Sequence, residues 1–283
     1  CANCETALAA AEIEYHDKES SSIYVKFLVK NSWKKMFPED KEVDTYVLIW
    51  TTTPWTIPGN MAIALNPDIE YSLVTTEKEN LIFASALVEK VMKEVGIVNY
   101  GFGGSAKGQF LEGITCKHPI FERDSVIILG EHATLDEGTG CVHTAPGHGQ
   151  EDYEIAMKYK LPIFTTLDSR GRFNQEGGKF EGLSYKEGDT AIIEELKGNG
   201  SLLKLGKIIH SYPHCWRCKK PVVFRATEQW FVSIEAFRDL ALSEIEKVQW
   251  VPEWGKEKFM EWLKIELIGV FSPRVWGVPL PVF

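Results

Sequence analysis

Four threonine hydroxyls stand together directly after a predicted strand. The apolar run at residues 46–49 has the length and β-branched content of a buried strand, and Pro54 and Pro58 prevent that strand from continuing. Hydroxyls held in one geometry can bind a ribose, orient a water molecule or stabilise a developing oxyanion. The segment alone also fits an ordinary turn whose threonines bond nearby backbone. The four residues are Thr51, Thr52, Thr53 and Thr56.

A second segment, residues 138–153, combines glycines, histidines and acidic side chains at the predicted start of a helix. Asp152 lies in the first turn of that helix, where the helix dipole favours an ionised carboxylate. A carboxylate at this position can also serve only to stabilise the start of the helix, as the neighbouring Glu151 can. His143 has the residue type of a general base, with an unperturbed pKa of about 6.5.

Together the two segments resemble the editing region of isoleucyl-tRNA synthetases, which hydrolyses valine wrongly attached to isoleucine tRNA. The resemblance is carried by Trp-Thr-Thr-Thr-Pro-Trp-Thr at 50–56 and by His-Thr-Ala-Pro-Gly-His-Gly at 143–149, followed by Asp152. Such a site is needed because a missing methylene changes binding by only about 1–3 kcal/mol, a magnitude already established for these synthetases with isoleucine and valine.

The resemblance also implies residue roles. Asp152 is expected to bind the ammonium group of the misattached amino acid, and His143 to form the pocket wall that limits side-chain size. With no obvious base, hydrolysis is expected to depend on the positioning of substrate and water by Asp152 and the four threonines. His148 is expected to contact the ribose or to shape the glycine-rich loop. The implied substrate-binding residues are His143, Trp50, His148 and Gly147.

Cys141 suggests a different chemistry. Cys141 and His143 are two residues apart in a predicted strand, so their side chains point to the same face. A thiol nucleophile activated by the imidazole is therefore a further hypothesis. Buried cysteine also serves as a small apolar residue, and the resemblance favours that interpretation, because the family tolerates a small apolar residue at this position.

Four of the six cysteines form two Cys-x-x-Cys pairs. Zinc prefers four tetrahedral thiolate or imidazole ligands, and a two-residue spacer lets one turn present both sulfurs to one ion. The two pairs can share an ion only if the intervening chain leaves and returns at neighbouring points. The resemblance implies this, with a structural zinc at the base of an inserted domain. His214 could replace one of the four cysteines as a zinc ligand. The alternative to a zinc site is that the cysteines are redox-active or unpaired thiols. The predicted ligands are Cys1, Cys4, Cys215 and Cys218.

Composition bounds the class of protein. The chain has 283 residues, 44% of them hydrophobic, which is enough for one large or two modest cores. No apolar run approaches the roughly 20 residues that span a bilayer, and no signal sequence is recognisable, so a soluble cytoplasmic protein is expected. The absence of an initial methionine suggests a piece of a longer protein.

Charge is unevenly distributed along the chain. The net charge of −9 does not indicate a general nucleic-acid binder. Residues 204–225 nevertheless carry six cations and no acidic residue. These positive charges could bind phosphate, or they could offset the negative charge of zinc-bound thiolates.

Hydrophobic patterns predict a β-rich α+β fold. Alternation at residues 22–31 predicts a strand with one buried face, which forms a ribbon with residues 7–15 and 202–212. Further strands are predicted at 69–74, 81–84, 125–129, 140–144, 161–166 and 230–234. Helices are predicted at 87–95, at 189–197, and around 240–248, while 101–108 is predicted to be a glycine-rich loop and 32–42 a loop or short helix.

These elements predict four regions. Residues 1–41 form a zinc knuckle with its connecting ribbon, and residues 42–200 an editing domain. Residues 201–226 form the return ribbon with the second knuckle, and residues 227–283 a partial return into a catalytic domain. The resemblance implies a barrel-like editing domain of the valyl, leucyl and isoleucyl type and a Rossmann-like catalytic domain.

The expected function is hydrolysis of valine from the 3′ end of isoleucine tRNA. The signatures His-Ile-Gly-His and Lys-Met-Ser-Lys-Ser are absent, so this chain alone is not expected to aminoacylate tRNA. The resemblance implies that the full-length enzyme is a monomer that ligates isoleucine to its tRNA with ATP and Mg²⁺. Its implied partners are the tRNA and the remainder of the synthetase, with no membrane. The alternative is a non-catalytic, zinc-dependent tRNA-binding module.

Overall fold

The computed structural model describes residues 1–30, 37, 43–228, 230–265 and 268–271. The chain divides into two compact units, Cys1–Ala226 and Thr227–Phe283. Apart from Phe37, the predicted loop at 32–42 lies outside the described residues. Within the described part, no helix has both the length and the apolar character needed to cross a membrane.

A mixed sheet forms the frame of the first unit. Its strands run in the order β6-β4-β5-β2-β1-β7-β8-β3-β9, and β10 pairs with β1. The pairs β2/β5 and β3/β8 are parallel, and the other described pairs are antiparallel. The strands are β1 Ile13–Val29, β2 Thr45–Thr51, β3 Ala62–Leu65, β4 Glu70–Thr75, β5 Asn80–Ala84, β6 Gly101–Lys107, β7 Thr115–Lys117, β8 Asp124–Leu129, β9 Cys141–Thr144 and β10 Leu202–Cys215. The pairing is an open path, so the barrel-like form remains a prediction, whereas the β-rich α+β class is confirmed.

The core follows from the strand patterns. In β1, Ile23, Val25 and Phe27 are fully buried, whereas Lys26 and Leu28 are partly exposed. The short apolar strands β3 and β5 are buried at every position, as expected for strands covered on both faces. The predicted strand at 22–31 is confirmed as far as Val29, but its one-sided burial is confirmed only in part, because Tyr24 on the predicted exposed face is also buried.

Two helices of the first unit have clear end signals. Helix α1 (Val88–Val95) stops at Gly96, whose φ of 81° is the left-handed conformation that glycine adopts at helix ends. The third helix, α3 (Tyr185–Gly198), starts four residues before its predicted start, because Ser184 and Glu187 form a capping box that the sequence analysis overlooked. Between them lies α2 (Gln150–Tyr159).

Three predictions for the first unit were wrong. Residues 7–12 do not belong to the ribbon, because β1 begins at Ile13 and a 3₁₀ turn, Ala10–Glu12, precedes it. Residues 101–107 form strand β6 rather than a loop, because pairing with β4 outweighs the weak local β propensity of glycine. Residues 161–166 form no strand. Their backbone instead bonds to side chains, with Asn174 Nδ2 donating to the Thr165 carbonyl at 2.8 Å and the Thr166 amide donating to His148 Nε2 at 3.2 Å.

The second unit is small. Strands β11 (Trp230–Ser233) and β12 (Ile268–Phe271) pair antiparallel, and two helices, α4 (Arg238–Ile245) and α5 (Trp254–Ile265), pack around Ile234, Ile245 and Leu263. The predicted strand at 230–234 and the helix near 240–248 are confirmed in their main parts. Residues 272–283 lie outside the described part, so the return into a Rossmann-like domain stays a prediction.

The topology brings the two chemistry-bearing segments together. Strand β3 follows the threonine segment and pairs antiparallel with β9, with Ala62 opposite Thr144 and Ile63 opposite His143. The Met61 amide also donates to the Thr144 carbonyl at 3.0 Å. Residues separated by about 80 positions in the sequence therefore meet at one end of this strand pair.

Candidate active site

A cavity of about 460 Å³ lies where the two segments meet. This volume falls in the range of small-molecule sites. The cavity is lined by every predicted catalytic residue and by three of the four predicted substrate-binding residues: Thr51, Thr52, Thr53, Thr56, Asp152, Trp50, His143 and His148. Gly147 is not among the lining residues. A side chain at Gly147 would collide with the Phe164 carbonyl, so this glycine permits a close approach of two chain segments.

The threonine hydroxyls form a connected surface. Strand β2 ends at Thr51, and a buried 3₁₀ turn, Pro54–Gly59, follows. The Thr53 hydroxyl lies 3.2 Å from that of Thr51 and 3.4 Å from that of Thr56. Thr56 donates its own proton to the Thr53 carbonyl at 2.8 Å. The two prolines and this network hold the hydroxyls in one arrangement.

The contacts of His143 define its protonation state. Asn60 Nδ2 lies 2.8 Å from His143 Nδ1 and also donates to the Ala62 carbonyl at 2.9 Å, which fixes the orientation of the amide. His143 Nδ1 therefore accepts, and Nε2 carries the proton toward the Thr56 hydroxyl, 2.9 Å away. Burial lowers the pKa of His143 to about 3. A neutral ring with both nitrogens occupied suits a pocket wall better than a general base.

Asn60 is a site residue that the sequence analysis missed. It stands at the end of the threonine segment, fully buried, and it selects the tautomer of His143. No pattern of spacing marked it, since asparagine after glycine is ordinary turn composition. Its role becomes visible only when β3 and β9 are paired.

Asp152 is a partly buried carboxylate at the start of α2. Its Oδ2 accepts a hydrogen bond from the Ala145 amide at 2.8 Å. Burial raises the pKa of Asp152, while the Ala145 amide and His132 act in the opposite direction. Ionising this carboxylate thus carries a desolvation cost that a cationic ligand would offset.

The charged lining residues share one sign. Besides Asp152, the cavity is lined by Asp136 and Glu137, and neither lysine nor arginine is found among the described residues that line it. Asp136 and Glu137 were not identified from the sequence, where they resemble ordinary loop residues. The arrangement suits a ligand that presents a positive charge and suits a phosphate poorly.

His148 has a different environment from His143. Its Nδ1 donates to the Phe224 carbonyl at 3.0 Å, and its Nε2 accepts from the Thr166 hydroxyl at 2.7 Å. Its ring meets that of Trp55 edge-on, with centroids 5.1 Å apart. These contacts tie His148 to two other segments, and its predicted contact with a ribose stays a prediction.

The structure does not support a thiol nucleophile. Cys141 is only 3% exposed, and its sulfur lies 3.9 Å from the Ile82 carbonyl oxygen. Burial raises the pKa of the Cys141 thiol far above its usual range. Cys141 borders the cavity, but because the thiolate is the reactive form, its burial favours the role of a small apolar residue.

The four predicted metal ligands come together at the end of β1 and β10 where Ile13 lies opposite Cys215. Strands β1 and β10 pair over their length, with Ile13 opposite Cys215. The sulfurs of Cys1, Cys4, Cys215 and Cys218 all lie within 4.8 Å of one another, and the sulfurs of Cys1 and Cys218 are 3.5 Å apart. Sulfurs at about 2.3 Å from a tetrahedral zinc would be about 3.8 Å apart, so the donor set fits this ion. His214 is outside the cluster and its Nδ1 donates to the Tyr212 carbonyl.

Part of the basic stretch at 204–225 is neutralised locally. Lys207 contacts Glu19 at 2.7 Å and Lys219 contacts Glu14 at 2.6 Å, both across the β1/β10 ribbon. Such exposed ion pairs contribute little to stability. They do reduce the positive field of the stretch, which weakens the hypothesis of a phosphate-binding surface.

Comparisons with known proteins agree with this arrangement. The family model for tRNA synthetases class I (I, L, M and V) matches residues 1–283. The chain belongs to this family. Within the class I synthetases, it is 50% identical over 284 residues to the isoleucine--tRNA ligase of Moorella thermoacetica, a match that covers 100% of the chain and 30% of the relative. The chain thus spans about 30% of the length of such relatives, and the predicted resemblance to isoleucyl-tRNA synthetases is confirmed.

Solved structures show the same fold at low sequence identity. GlLeuRS-CP1 superposes with a TM-score of 0.53 at 16% identity, covering 65% of this chain and 98% of that structure. The editing domain of the P. knowlesi cytosolic leucyl-tRNA synthetase gives 0.52 at 12% identity, covering 69% and 97%. These two likenesses concern the fold alone.

Proposed function

We propose that this chain is the editing region of an isoleucyl-tRNA synthetase and hydrolyses the ester of valine on isoleucine tRNA. The observation that carries the proposal is the single cavity in which threonine hydroxyls, a neutral histidine and carboxylates converge. An aminoacyl ester offers a free ammonium group, a carbonyl and a ribose, and each has a chemical counterpart in this cavity.

Substrate binding begins at Asp152. The carboxylate binds the ammonium group of valine, while the Ala145 amide holds its Oδ2 in place. Asp136 and Glu137 add negative potential at the same cavity. The ester carbonyl then faces the hydroxyls of the threonine segment.

Hydrolysis follows from positioning. Water attacks the ester carbon, the bond to the ribose oxygen breaks, and the proton lost by water ends on that oxygen, giving valine and uncharged tRNA. His143 and His148 have both ring nitrogens occupied, so neither serves as a base in this arrangement. The threonine hydroxyls orient the water and stabilise the developing oxyanion, with assistance from a tRNA hydroxyl.

Deacylation of preformed esters tests this function. The purified protein, without ATP, is incubated with valyl-tRNA and with isoleucyl-tRNA, both made on the isoleucine acceptor. We expect the valine ester to be cleared at least 10-fold faster than the isoleucine ester, since one methylene in a fitted pocket supports discrimination of about 10- to 200-fold. Tight tRNA binding with neither ester cleared faster than in buffer would favour the non-catalytic binding module.

We further propose a structural zinc ion held by Cys1, Cys4, Cys215 and Cys218. When bound, it joins the two ends of the β1/β10 ribbon and takes no part in hydrolysis. The full-length protein would use ATP and Mg²⁺ in aminoacylation as a cytoplasmic monomer, with tRNA and the remainder of the synthetase as partners of this region.

Replacing Cys215 with alanine should remove the metal. We expect about one zinc per chain in the unmodified protein and less than about 0.2 in the variant, with a melting temperature lower by several degrees because a structural zinc contributes folding energy. Elemental analysis and thermal unfolding measure both. Cys116→Ala is the control, since Cys116 is a buried cysteine outside the cluster. Equal zinc content in the protein and in the Cys215 variant would contradict the assignment.

A further inference from the structure

The Pro54–Gly59 turn carries backbone groups that its own residues do not satisfy. Every residue of the turn is buried, and Thr53, at its N-cap, makes no side-chain capping bond. The Thr53 hydroxyl instead faces the hydroxyls of Thr51 and Thr56. Because Pro54 has no N–H, the Trp55 amide is the first donor of the turn and lacks a partner within it.

A distant side chain supplies this missing cap. Asp189, on α3, accepts a hydrogen bond at its Oδ1 from the Trp55 amide, at 2.8 Å. The two residues are 134 positions apart in the sequence. Helix α3 also places Tyr185 edge-on to the Trp55 ring, with centroids 6.0 Å apart. The cap is therefore provided from outside the turn, and the Thr53 hydroxyl stays in the cavity.

The other end of the turn is held in the same way. His118 Nε2 donates to the Ile57 carbonyl at 2.9 Å, while its Nδ1 accepts from the amides of Ile120 and Phe121. His118 is 1% exposed, and burial lowers its pKa to about 3, so the ring is neutral with its proton on Nε2. Arg123 donates through Nη2 to the Pro58 carbonyl.

We propose that Asp189, His118 and Arg123 are positioning residues of the hydrolytic site. We call these three side chains the turn clamp. They act through the backbone of Pro54–Gly59, and they fix the direction in which the threonine hydroxyls face the substrate. The inference rests on the proposed function for its kinetic consequences, whereas the clamp itself can be measured without any substrate.

Asp189 keeps its acceptor contact with Trp55 although burying the carboxylate is unfavourable. Burial raises its pKa from 3.8 to about 6, against the Trp55 amide and Lys18, which lower it. The pKa of Asp189 is therefore higher in the folded than in the unfolded protein. Ionised Asp189 lowers the folding stability above about pH 6, and this loss of stability disappears below about pH 4. The charged and titratable groups around Asp189 are Lys18 on β1, Tyr212 on β10, Tyr185 and Lys186 on α3, and His148 beyond the Trp55 ring.

Three variants separate positioning from helix stability. Asp189→Ala removes the acceptor, and Asp189→Asn keeps an acceptor oxygen without the charge. Glu187→Ala is the matched control, because it removes the capping box of α3 but leaves the Trp55 contact. A fourth variant, Arg123→Gln, tests the opposite end of the turn, where the side chain is partly exposed and folding is less at risk.

Hydrogen exchange and deacylation kinetics provide the two measurements. In Asp189→Ala we expect the amides of residues 55–57 to exchange at least 10-fold faster, and kcat for the valine ester to fall 10- to 100-fold with KM nearly unchanged. In Asp189→Asn, the exchange rates and kcat should both stay within about threefold of the unmodified protein. Glu187→Ala should lower only the melting temperature. Arg123→Gln should lower kcat as well.

Two results would overturn the proposal. One is unchanged exchange and kcat in both Asp189→Ala and Arg123→Gln. The other is an equal loss of kcat in Glu187→Ala, which would assign the effect to the stability of α3. If the unmodified protein hydrolyses neither ester, the proposed function fails, and the exchange data still decide whether the turn clamp exists.

Discussion

Replacing Asp152 with asparagine should lower the rate of valine-ester hydrolysis by about 10²- to 10³-fold without lowering thermal stability. Loss of one partner from a desolvated charge pair costs roughly 2–5 kcal/mol, and the expected 10²- to 10³-fold loss, about 3–4 kcal/mol, lies in the middle of that range. Burial raises the pKa of Asp152, so the ionised group costs folding stability at neutral pH, and a neutral amide avoids that cost. We therefore expect the melting temperature at pH 7.5 to be equal or higher. Single-turnover deacylation and thermal unfolding measure the two quantities.

Glu151→Gln is the matched control for this change. Glu151 occupies the preceding position in the same helix turn, is exposed, and does not line the cavity. It should retain activity within about threefold. An equal loss of activity in Glu151→Gln and Asp152→Asn would mean that only the negative charge at the start of the helix matters. Full activity of Asp152→Asn would show that Asp152 takes no part in the mechanism.

Replacing His143 with alanine should make the site accept isoleucine. The ring forms part of the cavity lining and is held by Asn60 and Thr56, so its removal opens space for at least one further methylene. We expect the preference for the valine ester over the isoleucine ester to fall from at least 10-fold to near unity. The change should arise mainly from faster hydrolysis of the isoleucine ester, measured with the two charged tRNAs in parallel.

Cys141→Ser provides the control in the same strand. The serine keeps the size of a side chain that lies two residues from His143, so preference for valine should be preserved. Loss of all hydrolysis in this variant would restore the thiol mechanism. Retained discrimination in His143→Ala would show that another part of the cavity excludes isoleucine.

Much of this site could be predicted from sequence because its residues are concentrated in two short segments. Prolines mark the end of β2, and a glycine-rich turn followed by acidic residues marks the start of α2, so Thr51 and Asp152 each carry local signals. In the same way, the Cys-x-x-Cys spacing marked the four cysteines that the structure brings together. The positions carry local signals, whereas the roles of the residues and the meeting of the two cysteine pairs were implied by the resemblance.

The supporting residues could not be predicted because their roles depend on tertiary pairing. Asn60 acts on His143 only through the register of β3 with β9, and Asp189 acts on Trp55 across 134 residues. Strand β6 was missed for a similar reason, since its glycines are held by pairing with β4. In each case the residue or strand that makes the contact is distant in the sequence, and no local sequence motif marks it.

Binding of non-hydrolysable analogues tests the central claim most directly, namely that Asp152 binds the substrate ammonium. The analogues are the amide-linked counterpart of valyl-adenosine and the same molecule without its amino group, each titrated by calorimetry into the unmodified protein and into Asp152→Asn. We predict that removal of the amino group weakens binding at least 30-fold in the unmodified protein and less than about threefold in the variant. An equal loss in both proteins would show that the ammonium group is bound elsewhere and would contradict the assignment of Asp152.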